Sequence, residues 1–371
     1  MVIEGEGRVL VLAVVMDRIG GPLEVREVPT PVPPVGGVVV RVGATGLCRS
    51  DWHAWVGHEE IAVPHVPGHE LAGTVAAVGV GVRDWVVGDR VTVPFVCGCG
   101  RCEWCASGDA QVCPDQQQPG FTHWGSFAEY VALHGADTNL VRVPDQVSFT
   151  VAASLGCRFA TAYRALTARA RLAAGEWVTV VGAGGVGLSA VMIAKALGAR
   201  VVVVDRTEAA CDAARALGAD YVLAADEPGG QAGAGREAGS GEAALSDRIH
   251  DLTDGGCHVS IDAVGSEQTC RDAILSLRRR GRHVQIGLLP PVTGIPRVPM
   301  ARVLAWELDL LGSHGMAAAD YPAMLALIER GTLRPQDLVE RVVGLSEAAA
   351  LLPHVDTASP GGMTMIDPQQ D

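Results

Sequence analysis

Residues 177–206, WVTVVGAGGVGLSAVMIAKALGARVVVVDR, constrain the fold of this chain more than any other stretch. A Val-rich run leads into a glycine turn, a helical segment and a second Val-rich run, which makes a complete βαβ unit. Parallel strands joined in this way need helices packed on the sheet, so the unit commits its neighbourhood to an α/β architecture. Further strand candidates lie at 219–223, 257–264, 282–287 and 308–313, between helical patterns. With 177–181 and 201–205 they make six, the number in a doubly wound dinucleotide fold.

The turn itself, GAGGVG, places Gly182, Gly184 and Gly187 at G-x-G-x-x-G spacing, with Gly185 and Val186 completing the loop. Alone the pattern is equally a packing turn. After a strand, opening a helix and before a second strand that ends in Asp205, it reads as a dinucleotide site. Gly182 permits the tight turn, Gly184 lets a pyrophosphate approach the backbone, and Gly187 allows close helix–strand packing. The helix N-terminus favours the phosphate charge. Asp205 is placed to accept from ribose hydroxyls and to repel a 2′-phosphate, which favours NAD over NADP; the adjacent Arg206 weakens that preference.

The first third reads as β, with Val-rich runs at 9–16, 36–48, 71–82 and 88–95 separated by turns, and helical spacing begins near 160. The Gly/Ala-rich stretch 226–242 reads as a flexible surface insertion before a helix starting near Ser246. The segments 321–331 and 345–355 add helices beyond the sixth strand. A net charge of −13 argues against nucleic acid or an anionic membrane as partner. No apolar run nears the ~18 residues that span a bilayer, and 9–16 follows Glu4 and Glu6 rather than a basic leader. The ten cysteines are therefore expected in a reducing cytoplasm, where a cluster points to metal rather than disulfides.

Five cysteines fall in CGCGRCEWCASGDAQVC. Cys99, Cys102, Cys105 and Cys113 run C-x₂-C-x₂-C-x₇-C, and four thiolates at such spacing close a tetrahedron around a structural zinc. Cys97 is left over, and only spacing argues for Cys99 in its place. A second set is thinner: Cys48 in LCRSDWHAW, His69 and Glu70 in VPGHELAG, and Cys157 in SLGCRFATAY. Each is equally a buried packing or polar residue by itself. Together they offer the three ligands and open position of a catalytic zinc.

GLCRSDWH, PHVPGHE, the four-cysteine lobe, GCRFATAY, GAGGVG and VVVVDR occur in one order over residues ~40 to 206. In this the chain resembles the zinc-dependent medium-chain alcohol dehydrogenase family. The resemblance implies a barrel-like, GroES-like catalytic domain over 1–158, to which 314–371 returns. It implies a Rossmann cofactor domain over 159–313, with the active site in the cleft. It makes Cys48, His69 and Cys157 the catalytic zinc ligands, with Glu70 a nearby carboxylate that enters the shell in some relatives. Asp51 would orient His69. Ser50 would hydrogen-bond the substrate oxygen, and His53 would end a proton relay that runs through the nicotinamide ribose. Thr161 would lie near the nicotinamide, and Trp55 and Phe95 would line an apolar substrate pocket; each of these two is equally a core aromatic. An arginine that some relatives carry near the C-terminus has no counterpart in GGMTMID (361–367), and Ser50 stands where many relatives have threonine.

The reading is thus an NAD-dependent alcohol dehydrogenase with two zinc ions per chain and a small-molecule alcohol or aldehyde substrate, working as a homo-oligomer, dimer or tetramer. Its rivals are a polyol or amino-alcohol dehydrogenase or a biosynthetic carbonyl reductase on the same fold, a zinc-free quinone-type reductase, and a non-catalytic protein using the cysteine lobe as an interaction ribbon. Asp205→Gly should raise the use of NADP relative to NAD, with Arg206 as the phosphate's partner. The ratio of kcat/KM for the two cofactors checks this, and a wild-type chain that already prefers NADP would contradict it.

Overall fold

A computed structural model describes residues 10–225, 244–289, 295–356 and 362–370. The stretch 226–242 lies outside the described residues. Two compact units emerge. Among the described residues, one holds 10–160 with 315–356 and 363–370, and the other runs through 161–314.

The second unit is built on six parallel strands. Their spatial order is Tyr221–Ala224, Arg200–Asp205, Trp177–Val181, Cys257–Asp262, Leu277–Gln285 and Asp309–Gly312. The order reverses between Trp177–Val181 and Cys257–Asp262, and at such a switch point ligands settle outside the strands' carboxyl ends. Val178, Val180 and Val201 to Val204 are all buried, which is why these strands are continuous apolar runs rather than alternating ones. Leu277–Gln285 begins five residues ahead of the apolar 282–287 and takes in Arg278, Arg279 and Arg280. Leu277 pairs with Cys257, and the register then shifts, so the arginines occupy an irregular segment at the sheet's amino edge.

In the first unit a seven-stranded sheet gathers distant pieces of chain. Val38–Leu47 pairs antiparallel with Leu71–Val78, with Tyr130–Leu133 and with the C-terminal Met363–Ile366. Val339–Val343 lies parallel to Met363–Ile366, so strands near the end of the chain complete a sheet begun at Val38–Leu47. A separate hairpin, Leu10–Met16 with Leu23–Pro29, is bridged to this unit at Ala128 and His65. The residues from 149 to 169 form a helical run whose regular turns alternate with wide π turns at Leu155–Phe159 and Ala165–Arg169.

The glycine loop shows two different reasons for glycine. Gly182 has φ +91°. A Cβ on Gly187 would stand 1.8 Å from the Gly182 carbonyl oxygen, whereas a Cβ on Gly184 would meet nothing within 4 Å. Gly187→Ala should therefore cost about 1–3 kcal/mol through overpacking. Gly184→Ala should change stability by less than about 1 kcal/mol. Urea unfolding of the two variants measures the difference; equal midpoints would contradict it.

Candidate active site and metal centres

Asp51 organises the first site. It sits in the first turn of the helix Arg49–Trp55, directly after Cys48, and is buried. One carboxylate oxygen accepts the backbone N–H of Cys48 at 3.0 Å. The other accepts the N–H of Gly68 at 3.1 Å and the Nδ1–H of His69 at 2.8 Å. Gly68 must be glycine: its φ is +104°, and a Cβ would press on the Phe127 ring and the Ser126 hydroxyl. With Nδ1 held, His69 turns Nε2 inward, where it is buried without a hydrogen-bond partner.

That orphan nitrogen points to a metal. Nε2 is the one atom of a buried imidazole that a cation would satisfy, and a ligating histidine characteristically donates its other N–H to a carboxylate. One ligand atom each from Cys48, His69, Glu70 and Cys157 lie within 4.8 Å of one another. Cys48, His69 and Glu70 are buried and Cys157 is half-buried. A hydrogen bond from Cys157 holds Cys48 well below the ordinary thiol pKa, and the same bond pushes Cys157 well above it. Burial pulls His69 down, but the Asp51 charge and hydrogen bond outweigh it and leave the imidazole well above its usual value. The donor set suits zinc: two sulfurs and one imidazole nitrogen.

Cys157 reaches this cluster from the π turn Leu155–Phe159. A π turn widens the helix and leaves carbonyls to be satisfied elsewhere. Here the Tyr321 hydroxyl donates to the carbonyls of Leu155 and Gly156, and the N–H of Phe95 donates to Gly156. The next residue, Arg158, places a buried guanidinium on the Glu70 carboxylate. Arg158 lies within GCRFATAY but takes no role from the resemblance, and Tyr321 carries no motif signal. Phe121 was equally invisible: its ring lies 5.2 Å from that of His69, with Phe95 at 6.0 Å on the same imidazole.

Ser50 and His53 are three residues apart on the helix Arg49–Trp55, hence on one face. Both are half-buried. His53 Nδ1 lies 2.8 Å from His58 Nδ1, so the pair shares a proton between two ring nitrogens. Burial first, then the charges of Arg49 and His58, lower the His53 pKa below its usual value, while Cys48 and Asp356 oppose them. Trp55 packs against the apolar core that includes Val14, Phe127 and Leu352, and its indole N–H donates to the Gly21 carbonyl.

The second metal centre is the cysteine lobe. Sulfur atoms of Cys99, Cys102, Cys105 and Cys113 lie within 4.8 Å of one another. The backbone N–H of Arg101 leads several contacts that lower Cys99 to about 6. Cys97 stands apart: it is buried in an apolar cluster with Val40 and Leu133, and burial pushes its thiol to about 12. Only spacing favours Cys99 over Cys97 in the sequence, and packing separates them.

In the second unit, the helix Gly185–Ala196 opens at Gly184 with no side chain capping it, so its first amides are available to a phosphate. Asp205 lies at the end of its strand. Its carboxylate accepts from the N–H of Ala183 at 2.7 Å and from the N–H and hydroxyl of Thr207 at 2.9 and 3.1 Å. Three donors on about four acceptor sites leave room for a further hydroxyl. Arg206 is exposed, and Thr161 is buried with its carbonyl accepting from Ser313.

Residues 34–145 match the family model described as "Alcohol dehydrogenase GroES-like domain", and 185–330 that described as "Zinc-binding dehydrogenase". An alcohol dehydrogenase of Geobacillus stearothermophilus is 36% identical over 76% of this chain and 80% of its own. Alcohol dehydrogenase 2 of Caenorhabditis elegans is 32% identical over 88% of this chain and 89% of its own. A crystal structure of an NAD-dependent alcohol dehydrogenase superposes with a TM-score of 0.82 at 30% identity, covering 96% of this chain and 99% of that one.

Two clusters of different burial predict separable metals. Cys48→Ala should lose one zinc and all turnover while keeping the fold. Cys102→Ala should also lose one zinc but lower the melting temperature, since a closed thiolate site contributes directly to folding. Cys97→Ala should retain both. Because His69 and Cys157 bind protons tightly without metal, zinc should be released from the first site progressively as pH falls. Metal analysis, thermal unfolding and NADH formation together read all four outcomes; a single zinc in the fully active chain contradicts the assignment.

Proposed function

The chain belongs to the zinc-dependent medium-chain alcohol dehydrogenase family, and from that premise we propose that Cys48, His69 and Cys157 hold the catalytic zinc while Ser50 and His53 move the substrate's proton. It is an NAD-dependent alcohol dehydrogenase, which transfers hydride between an alcohol and NAD and yields an aldehyde or ketone. The observation that carries the site assignment is the buried, partnerless Nε2 of His69 facing two thiols. Bound zinc supplies a Lewis acid that lowers the pKa of an alcohol, and NAD supplies the hydride acceptor. The glycine loop Gly182 to Gly187 and Asp205 hold the dinucleotide, with Thr161 toward its nicotinamide. Cys99, Cys102, Cys105 and Cys113 hold the structural zinc.

The chain's own residues then have distinct tasks. Asp51 holds His69 in one tautomer and one orientation. Ser50 accepts the alcohol proton as it donates its own, which a hydroxyl can do without bearing charge. His53, lowered in pKa and neutral at pH 7, is able to take up that proton further out and release it to water. Phe95 and Phe121 flank the His69 ring and make the surroundings apolar, which favours an apolar alcohol. We place the enzyme in the reducing cytoplasm, where the thiols of the two clusters stay available to metal. We place it there as a homo-oligomer, in keeping with the symmetric assemblies usual for soluble enzymes.

NADH formation across primary, secondary, aromatic and polyol alcohols tests the reaction and its preference for apolar substrates. General-base groups contribute about 10²–10⁴-fold, and water replaces an outer relay member more easily than an inner one. His53→Gln should therefore cost about 10²-fold or less, and Ser50→Ala more. Oxidation that depends on neutral His53 should fall as pH drops through its depressed pKa, below the usual 6.5. The His53→Gln deficit should be largest near neutral pH and shrink as hydroxide rises. An unchanged rate and pH profile in His53→Gln would remove it from the mechanism.

A further inference from the structure

Glu70 poses a problem for the zinc site. Its carboxylate is fully buried, and an oxygen of it lies within 4.8 Å of the ligand atoms of Cys48, His69 and Cys157. A buried carboxylate beside a divalent cation has every electrostatic reason to coordinate it, and doing so would fill the position a substrate needs.

A competing cation already occupies it. Oε1 accepts the backbone N–H of Arg158 at 3.0 Å and its Nε–H at 3.0 Å. Oε2 accepts the Nη2–H at 2.5 Å and shares the Nε–H at 3.1 Å. Both oxygens are therefore engaged by one residue through a planar fork, a geometry that lysine cannot reproduce. The slot is shaped for the pair. A Cβ on Gly46 would stand 2.2 Å from Glu70 Oε2 and 3.0 Å from Arg158 Nη2, and a Cβ on Gly156 would press on the Glu70 Cα at 3.1 Å. The Gly46 N–H also donates to the Glu70 carbonyl at 2.7 Å, so the carboxylate's backbone is anchored as well. Arg158 follows Cys157 on the same π turn, so one backbone distortion presents a metal ligand and the cation beside it.

We propose that Arg158 is a positioning residue that holds the Glu70 carboxylate out of the catalytic zinc's coordination shell and thereby keeps the fourth position open. The inference rests on the reading of Cys48, His69 and Cys157 as ligands. Without the guanidinium, zinc is the one cation left to the buried carboxylate, and Glu70 turns to it. Replacing both members of the pair removes the charge that would turn.

The test uses the full chain with cobalt(II) in place of zinc, without NAD or alcohol. Imidazole binding at the open position is read from the shift of the visible cobalt bands. Arg158→Met should weaken imidazole binding about tenfold or more, equivalent to at least about 1.4 kcal/mol. The double variant Glu70→Gln/Arg158→Met should return to near the wild-type affinity, since a neutral amide competes poorly for the metal. A purely structural Arg158 would lower the melting temperature in both variants without this reversal. If Arg158→Met does not fold, Arg158→Gln, which keeps a neutral amide NH2 as donor, carries the same comparison against Glu70→Gln/Arg158→Gln. Wild-type imidazole affinity in the single variant, or equal weakening in single and double variants, overturns the proposal. An imidazole-sensitive cobalt band that survives Cys48→Ala overturns the ligand assignment itself, and is distinguishable because it is read with Arg158 intact.

Discussion

A single buried carboxylate sets the geometry of the catalytic site. Asp51 accepts from the backbone of Cys48, the backbone of Gly68 and the ring of His69, and so it ties together the two segments that carry the proposed ligands Cys48 and His69. Its position in the first turn of Arg49–Trp55 places the negative charge where the helix dipole favours it. Breaking such a network leaves several buried donors unpaired at about 1–3 kcal/mol each. The same helix carries Ser50 and His53, so in the proposed mechanism the group that orients the metal ligand also fixes the start of the proton path.

The third proposed ligand depends on a backbone irregularity. Cys157 lies on a π turn whose displaced carbonyls are satisfied by Tyr321, from a helix more than 150 residues later, and by Phe95. The C-terminal part of the chain thus supports the turn that carries Cys157. Arg158 and Glu70 add a second charge pair to this region, and both are buried. Losing one partner of a buried pair costs about 3–5 kcal/mol because a charge is left uncompensated. Arg158 balances the charge of Glu70, and on the proposed assignment Cys48 and Cys157 as thiolates would balance a zinc ion.

The cofactor unit is held by polar contacts that its sequence motif does not include. Asp262 accepts the N–H groups of Val264 and Gly265 on one oxygen and the Gln285 amide on the other. His283 bridges Gln285 and Ser260. This buried chain of hydrogen bonds fixes the turn after Cys257–Asp262, and Val264 in that turn is what a Cβ on Gly182 would strike. The glycine pattern therefore reports packing against a neighbouring strand as well as access for a phosphate.

The six parallel strands and the glycine loop were legible in the sequence because buried parallel strands are continuous Val-rich runs and the loop's spacing is local. The two cysteine-bearing clusters were legible as sets of metal-ligating residue types. Leu277–Gln285 and Met363–Ile366 were harder, because one begins in an arginine run and the other is four residues long and exists by pairing with Val38–Leu47. What residue types at short spacing determine, the sequence determined by itself: the βαβ unit and the four-thiolate lobe, whereas Cys48, His69 and Cys157, far apart in the chain, became one set of candidates through the family resemblance. Only the tertiary structure decided that Cys97 is a core thiol, that Trp55 packs with the hairpin core, that Phe121 faces His69, and that Glu70 belongs to Arg158. The Glu70–Arg158 pair spans 88 residues, and a carboxylate's partner across that distance is chosen by which buried cation the folded backbone brings within hydrogen-bond reach.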